Sequence, residues 1–427
     1  MIARLVLANG LELVIGLGVT TALGVPAGTA YLAGLALVGI VSAHLALVHV
    51  AFGWVGLGVL AGVSAVYLAR RRAWHTWHLG RGSAWSWAGG AGLAVLLVRA
   101  WPVFAAEPLN AYDGWALWGM KGKALTELGW ADPALFASKA ASALQLGYPL
   151  LLPSLEAVAS RAMGGFDPRT IHLQFLLFGV AAFTCLYALL RDRVPQWLVW
   201  PWLLALAAAP ALTGQLLTAY ADLPLAFLVG AGVLAGARWL ADGRSGTLAL
   251  ATLFLAAAGL TKSEGILFAA ATYLALLLAG GRWRPLLVSA LAFELVLLPW
   301  QLWVAAHHVS AGTTVDLTSP DVSHPGIGPL ALKALLERSL SLHAWPFVLP
   351  LFVVVVLAAA GARLAVYAWA WMLAAYLLLT AVYVTSRLEW SNYFAFSGDR
   401  VIDSALVAMA ALSPLLAAQA LSRIGRP

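Results

Sequence analysis

Apolar residues run along this chain in long stretches broken by short polar interruptions. The pattern is neither the alternation of a half-buried strand nor the single stripe of a surface helix. Stretches near 20 residues are long enough for a helix to cross a bilayer. They fall at residues 4–22, 28–47, 51–69, 84–105, 170–190, 197–213, 223–240, 246–260, 265–280, 286–305, 345–360, 364–384 and 401–420. The pattern therefore predicts an all-α, polytopic transmembrane bundle of about 13 spans. The second and third runs are the least clearly divided, with only His49 and a few small residues between them. The start, "MIARLVLANGLELVIGLGV", lacks a clear basic region and cleavage site, so it reads as a retained first span.

The polar interruptions are asymmetric. Arg70, Arg71, Arg72 and Arg81, then Arg191 and Arg193, Arg238 and Arg244, Arg282 and Arg284, Arg363, and Arg423 and Arg426 all fall on one side of the predicted spans. By the positive-inside bias that side is cytoplasmic. Arg4 is the exception. The opposite side receives two long segments, about residues 106–169 and 306–344, with the turns near Asp222 and Lys262 and the stretch 385–400. No internal repeat is visible, so the inverted halves common in transporters are not indicated.

Composition agrees with this picture. The chain is 62% hydrophobic and 10% charged, against roughly 25% charged in a soluble domain. The net charge of +7 lies largely in the inter-span clusters, which points to membrane orientation and not to nucleic acid. The single cysteine, Cys185, excludes a disulfide framework. A Walker loop and a strand-following GxGxxG are both absent, so a nucleotide site is not indicated.

The charged groups on the presumed outer side carry the chemistry. "NAYDGWALWGMKGK" at 110–123 gathers Asp113, Trp115, Trp118, Lys121 and Lys123 just past a span. A carboxylate there can act as general base, ligate a metal, or simply be solvated, and Glu107 is a rival for the role. In a helix, Asp113, Leu117 and Lys121 share a face. The two tryptophans suit interfacial anchoring or stacking on a sugar ring. "LGYPLLLPSLEAVASRAMGG" at 146–165 is too interrupted for a span and predicts a helix lying along the outer surface. Asp222, Lys262 and Glu264 sit at span mouths, either as a helix-end ion pair or as functional groups. Arg400, beside Asp399 in "SGDRVIDS", offers a fork for phosphate or a helix-start pair. His324 and Asp321 precede a short amphipathic helix near 327–340, and Glu294 lies inside a span without an evident partner. One His and scattered acids do not form a metal signature, so a divalent cation is compatible but not indicated.

Four stretches in order, "YDGWALWGMKGKAL", "GYPLLLPSLEA", "YADLPLAFLVGAGVLA" with "GLTKSEGILFA", and "SGDR", resemble the class C glycosyltransferases. The chain is similar to bacterial relatives of the protein mannosyltransferases and the lipid A aminoarabinose transferases. The resemblance covers roughly residues 84–420, so residues 1–83 read as added spans before a catalytic core at 84–427. It implies a multi-pass enzyme of the cytoplasmic membrane with juxtamembrane helices and an external active site. It implies a polyprenyl-phosphate sugar donor, surrounding membrane lipid, and a glycan, lipid or protein acceptor. Asp113 matches the position of the catalytic base. Lys262 and Arg400 would hold the carrier phosphate, and Tyr148 joins Trp115, Trp118, Lys121, Asp222, Glu264 and His324 as candidates for donor or carrier binding. The chain departs from the better known members in its front spans and in lacking a large soluble domain at its end. The competing reading is a transporter or flippase, which needs charge near the bilayer midplane; here only Glu294 is expected that deep.

Overall fold

In a computed structural model, residues 1–73, 83–106, 108–109, 111–138, 145–309, 326–386 and 390–424 are described. Every regular element among them is helical. The first group comprises α1 (Ile2–Leu23), α2 (Ala30–Leu47), α3 (Trp54–Arg71) and α4 (Ala84–Ala106). A π-helical turn (Asp113–Gly119) leads into α5 (Met120–Leu128), then α6 (Pro133–Phe136), α7 (Leu151–Met163), α8 (Pro168–Leu190), α9 (Gln196–Ala207) and α10 (Pro210–Thr218). The rest is α11 (Asp222–Asp242), α12 (Ser245–Thr261), α13 (Glu264–Leu278), α14 (Trp283–Ala306), α15 (Ile327–Ser339), α16 (Val348–Ala358), α17 (Arg363–Val384), α18 (Trp390–Val401) and α19 (Asp403–Ile424).

A helix lies at each expected span, but they are not equal. Among the described residues, eight helical segments are long and apolar enough to cross a membrane alone, or nine if the pair α9 and α10, bent by 53°, counts as one. The protein is thus a multi-pass helical membrane protein. The bend follows from Pro210, which cannot continue the hydrogen bonding of α9. Helices α12, α13 and α16 are apolar but shorter. Helix α11 is the axis of the bundle: every residue from Asp222 to Trp239 is buried, as expected of a helix apolar on all sides. Helices α8, α12, α13 and α19 surround it.

Helices α1 and α2 belong to the same continuous apolar core as α7, α8, α11 and α12. They cross with backbones in contact. A Cβ at Gly16 would lie 1.7 Å from the Ala30 carbonyl oxygen, and one at Gly34 would lie 1.9 Å from that of Glu12. Small residues that let backbones meet are a means of helix association where lipid removes the hydrophobic driving force. By contrast α4 and α14 show most of their surface to the outside, with 11% and 28% of their apolar windows buried.

The two ends of the bundle differ. Arg71, Arg191, Arg238 and Arg244 line one cavity, Arg193, Arg363 and Arg423 a second, and Arg282 and Arg363 a third, all at the Asp242 end of α11. Asp222 starts the same helix about 30 Å away. Helices α5, α6 and α7 gather at that other end. Helix α7 forms where expected, but it does not lie on the surface: all its residues except Arg161 are buried. It packs between α2 and α5, because Ser154, Glu156 and Ser160 turn inward along with its apolar residues.

The α1–α2 crossing yields a direct expectation. Gly34→Val should cost at least the ~1–3 kcal/mol typical of overpacking and sharply lower thermal stability in detergent. Gly10→Val, where a Cβ meets nothing within 4 Å, should leave stability nearly unchanged.

Candidate functional site

Five charged groups at the Asp222 end form one connected chain. Lys262 Nζ donates to Asp222 Oδ1 at 2.8 Å and lies 3.1 Å from Glu264 Oε1. Arg400 donates to Asp113 through Nη1, and the same nitrogen lies 3.8 Å from Asp222 Oδ2. The Arg400 guanidinium also sits 4.7 Å from the centre of the Tyr220 ring, within cation–π range. Residues from four distant stretches therefore meet: the π-helical turn, the start of α11, the α12–α13 turn, and α18.

Local sequence explains how each group arrives. Gly114 lets the π-helical turn press on the end of α10, where a Cβ would lie 2.1 Å from the Thr218 carbonyl oxygen. That contact brings Asp113 beside Tyr220. Ala219 between them takes a left-handed conformation, φ 56°, which costs energy in a residue with a Cβ and recurs at functional sites. The wider π turn also changes the expected register. Asp113 reaches Arg400, Leu117 is buried in a small apolar cluster, and Lys121 turns toward Tyr148, so the three do not act as one α-helical face. At the far side, Asp403 accepts from Trp345 Nε1 at 2.9 Å and from Gln215 Nε2 at 2.8 Å. This fixes the start of α19 three residues beyond Arg400.

Aromatic rings form the second half of the site. The Tyr148 ring lies 5.7 Å from Lys121 Nζ and 5.8 Å from Lys262 Nζ, so it separates two ammonium groups. Trp118 packs 5.5 Å from Tyr148 and 5.3 Å from Lys121 Nζ. Only 1% of Trp118 is exposed, so it neither anchors at the interface nor presents a free face for stacking. Trp115 is exposed and takes no part in the described ion pairs. His324 and Glu107 lie outside the described residues. Asp399 pairs with Arg338 at 3.1 Å, away from the chain of charges.

Burial tunes the groups outside the spans. Burial by itself would lower the Lys262 ammonium, but Asp222 and Glu264 hold its pKa well above the ordinary lysine value. Among the described residues Lys121 meets no such carboxylate, and burial lowers it to about 7. Its amine donates to the Gln145 carbonyl at 2.8 Å, and Gln145 is itself left-handed, φ 46°. Burial raises Glu156, whose carboxyl rests against Gly122, to about 8.

Tyr220, Gln215, Trp345 and Asp403 were not singled out from the sequence, and Glu156 was read only as a polar residue of a surface helix. For Tyr220 the signal was its place beside Asp222 in "TAYADLP", and for Asp403 its place beside Arg400 in "SGDRVIDS"; Gln215 and Trp345, distant in the chain, carry none. Depth also differs from expectation. Glu294 is on α14 but faces outward. Glu12, halfway along α1, is buried beside a polar network in which Asn9 bonds to Gln174 and Tyr31. Among the described residues, no group of three or more His, Cys, Asp or Glu is placed to hold a metal ion. Compared with known proteins, the chain matches no family model, no curated protein and no solved structure.

Glu156 sets a pH dependence of stability. Between about pH 4.5 and 8 the folded state keeps a proton that the unfolded state has released, so stability falls as pH rises through that window. Lys121 acts oppositely from about 7 to 10.5, where the unfolded chain binds more protons and stability rises. Thermal unfolding in detergent should therefore show stability falling between pH 5 and 7, and Glu156→Gln should make that decline shallower. An unchanged decline would mean that another group causes it.

Proposed function

We propose that this protein is a glycosyltransferase of the class C type, moving a sugar from a polyprenyl-phosphate donor to an acceptor hydroxyl at the outer face of the cytoplasmic membrane. The observation that carries the reading is the convergence of Asp113, Arg400, Asp222, Lys262 and Glu264 at the end of the bundle opposite the arginine-lined cavities. In this reading the bent pair and the shorter apolar helices complete crossings, for about 13 passes in all, and by the positive-inside bias the charged site faces outward.

The mechanism follows from the groups present. Both cations of the chain are held by carboxylates, and Asp113 is occupied by Arg400. A carrier phosphate attracts Arg400 and Lys262, and drawing Arg400 off Asp113 frees that carboxylate as base. Asp113 then takes the proton of the acceptor hydroxyl, whose oxygen bonds to the anomeric carbon. The bond from that carbon to the phosphate oxygen breaks, and polyprenyl phosphate leaves with the electron pair. The cations stabilise its charge, and the sugar is inverted. Tyr148 and Lys121 wall the site, and the apolar tail lies between spans. No step requires a nucleotide or is routed through a metal.

The second reading, a transporter or flippase, is favoured by one observation: Glu12 is buried at mid-span among Asn9, Gln174 and Tyr31, and intramembrane acids mark passage routes. Transfer separates the two. Purified protein in lipid, given polyprenyl-phosphate sugars and candidate acceptors, should release polyprenyl phosphate with one donor. Asp113→Asn should lower that rate by about 10²–10⁴-fold, the scale of a lost general base, while still binding donor. Transfer by the variant at the wild-type rate would remove Asp113 from the role of base.

A further inference from the structure

The end of the bundle remote from the charged site holds a cavity of about 880 Å³. Its walls come from the ends of α1, α3, α8, α11 and α12 and from the turn between α1 and α2. Four arginines line it, Arg71, Arg191, Arg238 and Arg244, against one acid, Asp192. Arg191 and Asp192 are 3.4 Å apart, so the pair largely cancels and the lining keeps a threefold positive excess.

Two of the arginines are fixed in place. Arg238 is buried and donates to the Leu189 carbonyl at 2.7 Å, and Arg244 donates to the Gly24 carbonyl at 3.0 Å. Each thereby satisfies a carbonyl near the end of a helix, α8 or α1, where a cation is favoured. Arg71 and Arg191 are exposed and complete the ring. Arg71 lies over the Tyr67 ring at 5.6 Å, and Tyr67, Thr21 and Thr247 bring hydroxyl groups to the same lining. Preset guanidinium forks with hydroxyl donors suit the oxygens of a phosphate. The cavity opens between membrane helices on the side that carries the basic clusters, where anionic headgroups gather at basic pockets.

We propose that this cavity binds a phosphate monoester or diester, such as the headgroup of an anionic phospholipid, independently of any reaction at the other end. The test is thermal unfolding of the full chain in neutral detergent, titrated with phosphatidylglycerol or, separately, with inorganic phosphate. Phosphatidylcholine is the control. Wild type should be stabilised by phosphatidylglycerol at low mole fraction and not by phosphatidylcholine. Arg71→Gln combined with Arg191→Gln removes exposed charges and should weaken that response about 10- to 30-fold, at roughly 1 kcal/mol per basic residue. Asp192→Asn removes the one acid among the described lining residues and should strengthen it, which a folding defect could not mimic. The same pattern with inorganic phosphate would assign the site to a soluble phosphate. Equal responses of wild type, the double variant and Asp192→Asn to each anion would overturn the proposal.

Discussion

A carboxylate and an ammonium removed from water must satisfy each other, and in this bundle Asp222 and Lys262 do so at 2.8 Å. Their side chains are only 4% and 10% exposed. Losing either partner would leave a buried charge with only its second contact, Glu264 for Lys262 or Arg400 for Asp222, a cost below the ~3–5 kcal/mol of a buried charge left wholly unpaired. The pair ties the start of the central helix α11 to the α12–α13 turn. Glu264 and Arg400 extend it at 3.1 and 3.8 Å, and Arg400 carries it to Asp113. Every other part of the site is placed relative to these four links.

The chain of charges holds three carboxylates, Asp113, Asp222 and Glu264, and two cations, Lys262 and Arg400. Such a set carries one net negative charge, with both cations held by carboxylates. Opposite it, the arginine-lined cavities carry charge in excess of their acids. The same bundle thus presents a charged site with one carboxylate in excess at one end and a basic surface at the other, about 30 Å apart along α11.

The architecture was largely legible because the bilayer imposes a length on every apolar run. What the runs did not show was their inequality: α12, α13 and α16 are apolar but short, and Pro210 divides a span that reads as continuous. The site was legible where ionisable residues stood out from apolar surroundings, as at Asp113, Asp222, Lys262, Glu264 and Arg400. It was not legible where the deciding contact joins distant residues. Glu156 reads as the polar face of a surface helix until α5 covers it. Trp118 reads as an interfacial ring until Tyr148 and Lys121 enclose it. The π-helical turn at Asp113–Gly119 has no periodic signature, and it decides which way Asp113 points. Glu294 and Glu12 exchange roles because outward and inward faces of an all-apolar helix look alike in sequence.

The central claim is that Arg400 and Lys262 receive a carrier phosphate at the charged end of the bundle. The most direct measurement is binding of sugar-free polyprenyl phosphate to purified protein, counted by native mass spectrometry. The proposed function predicts one tightly held carrier on wild type and on the Arg71→Gln, Arg191→Gln double variant, and its loss from Arg400→Gln. Equal retention by Arg400→Gln and wild type would contradict it.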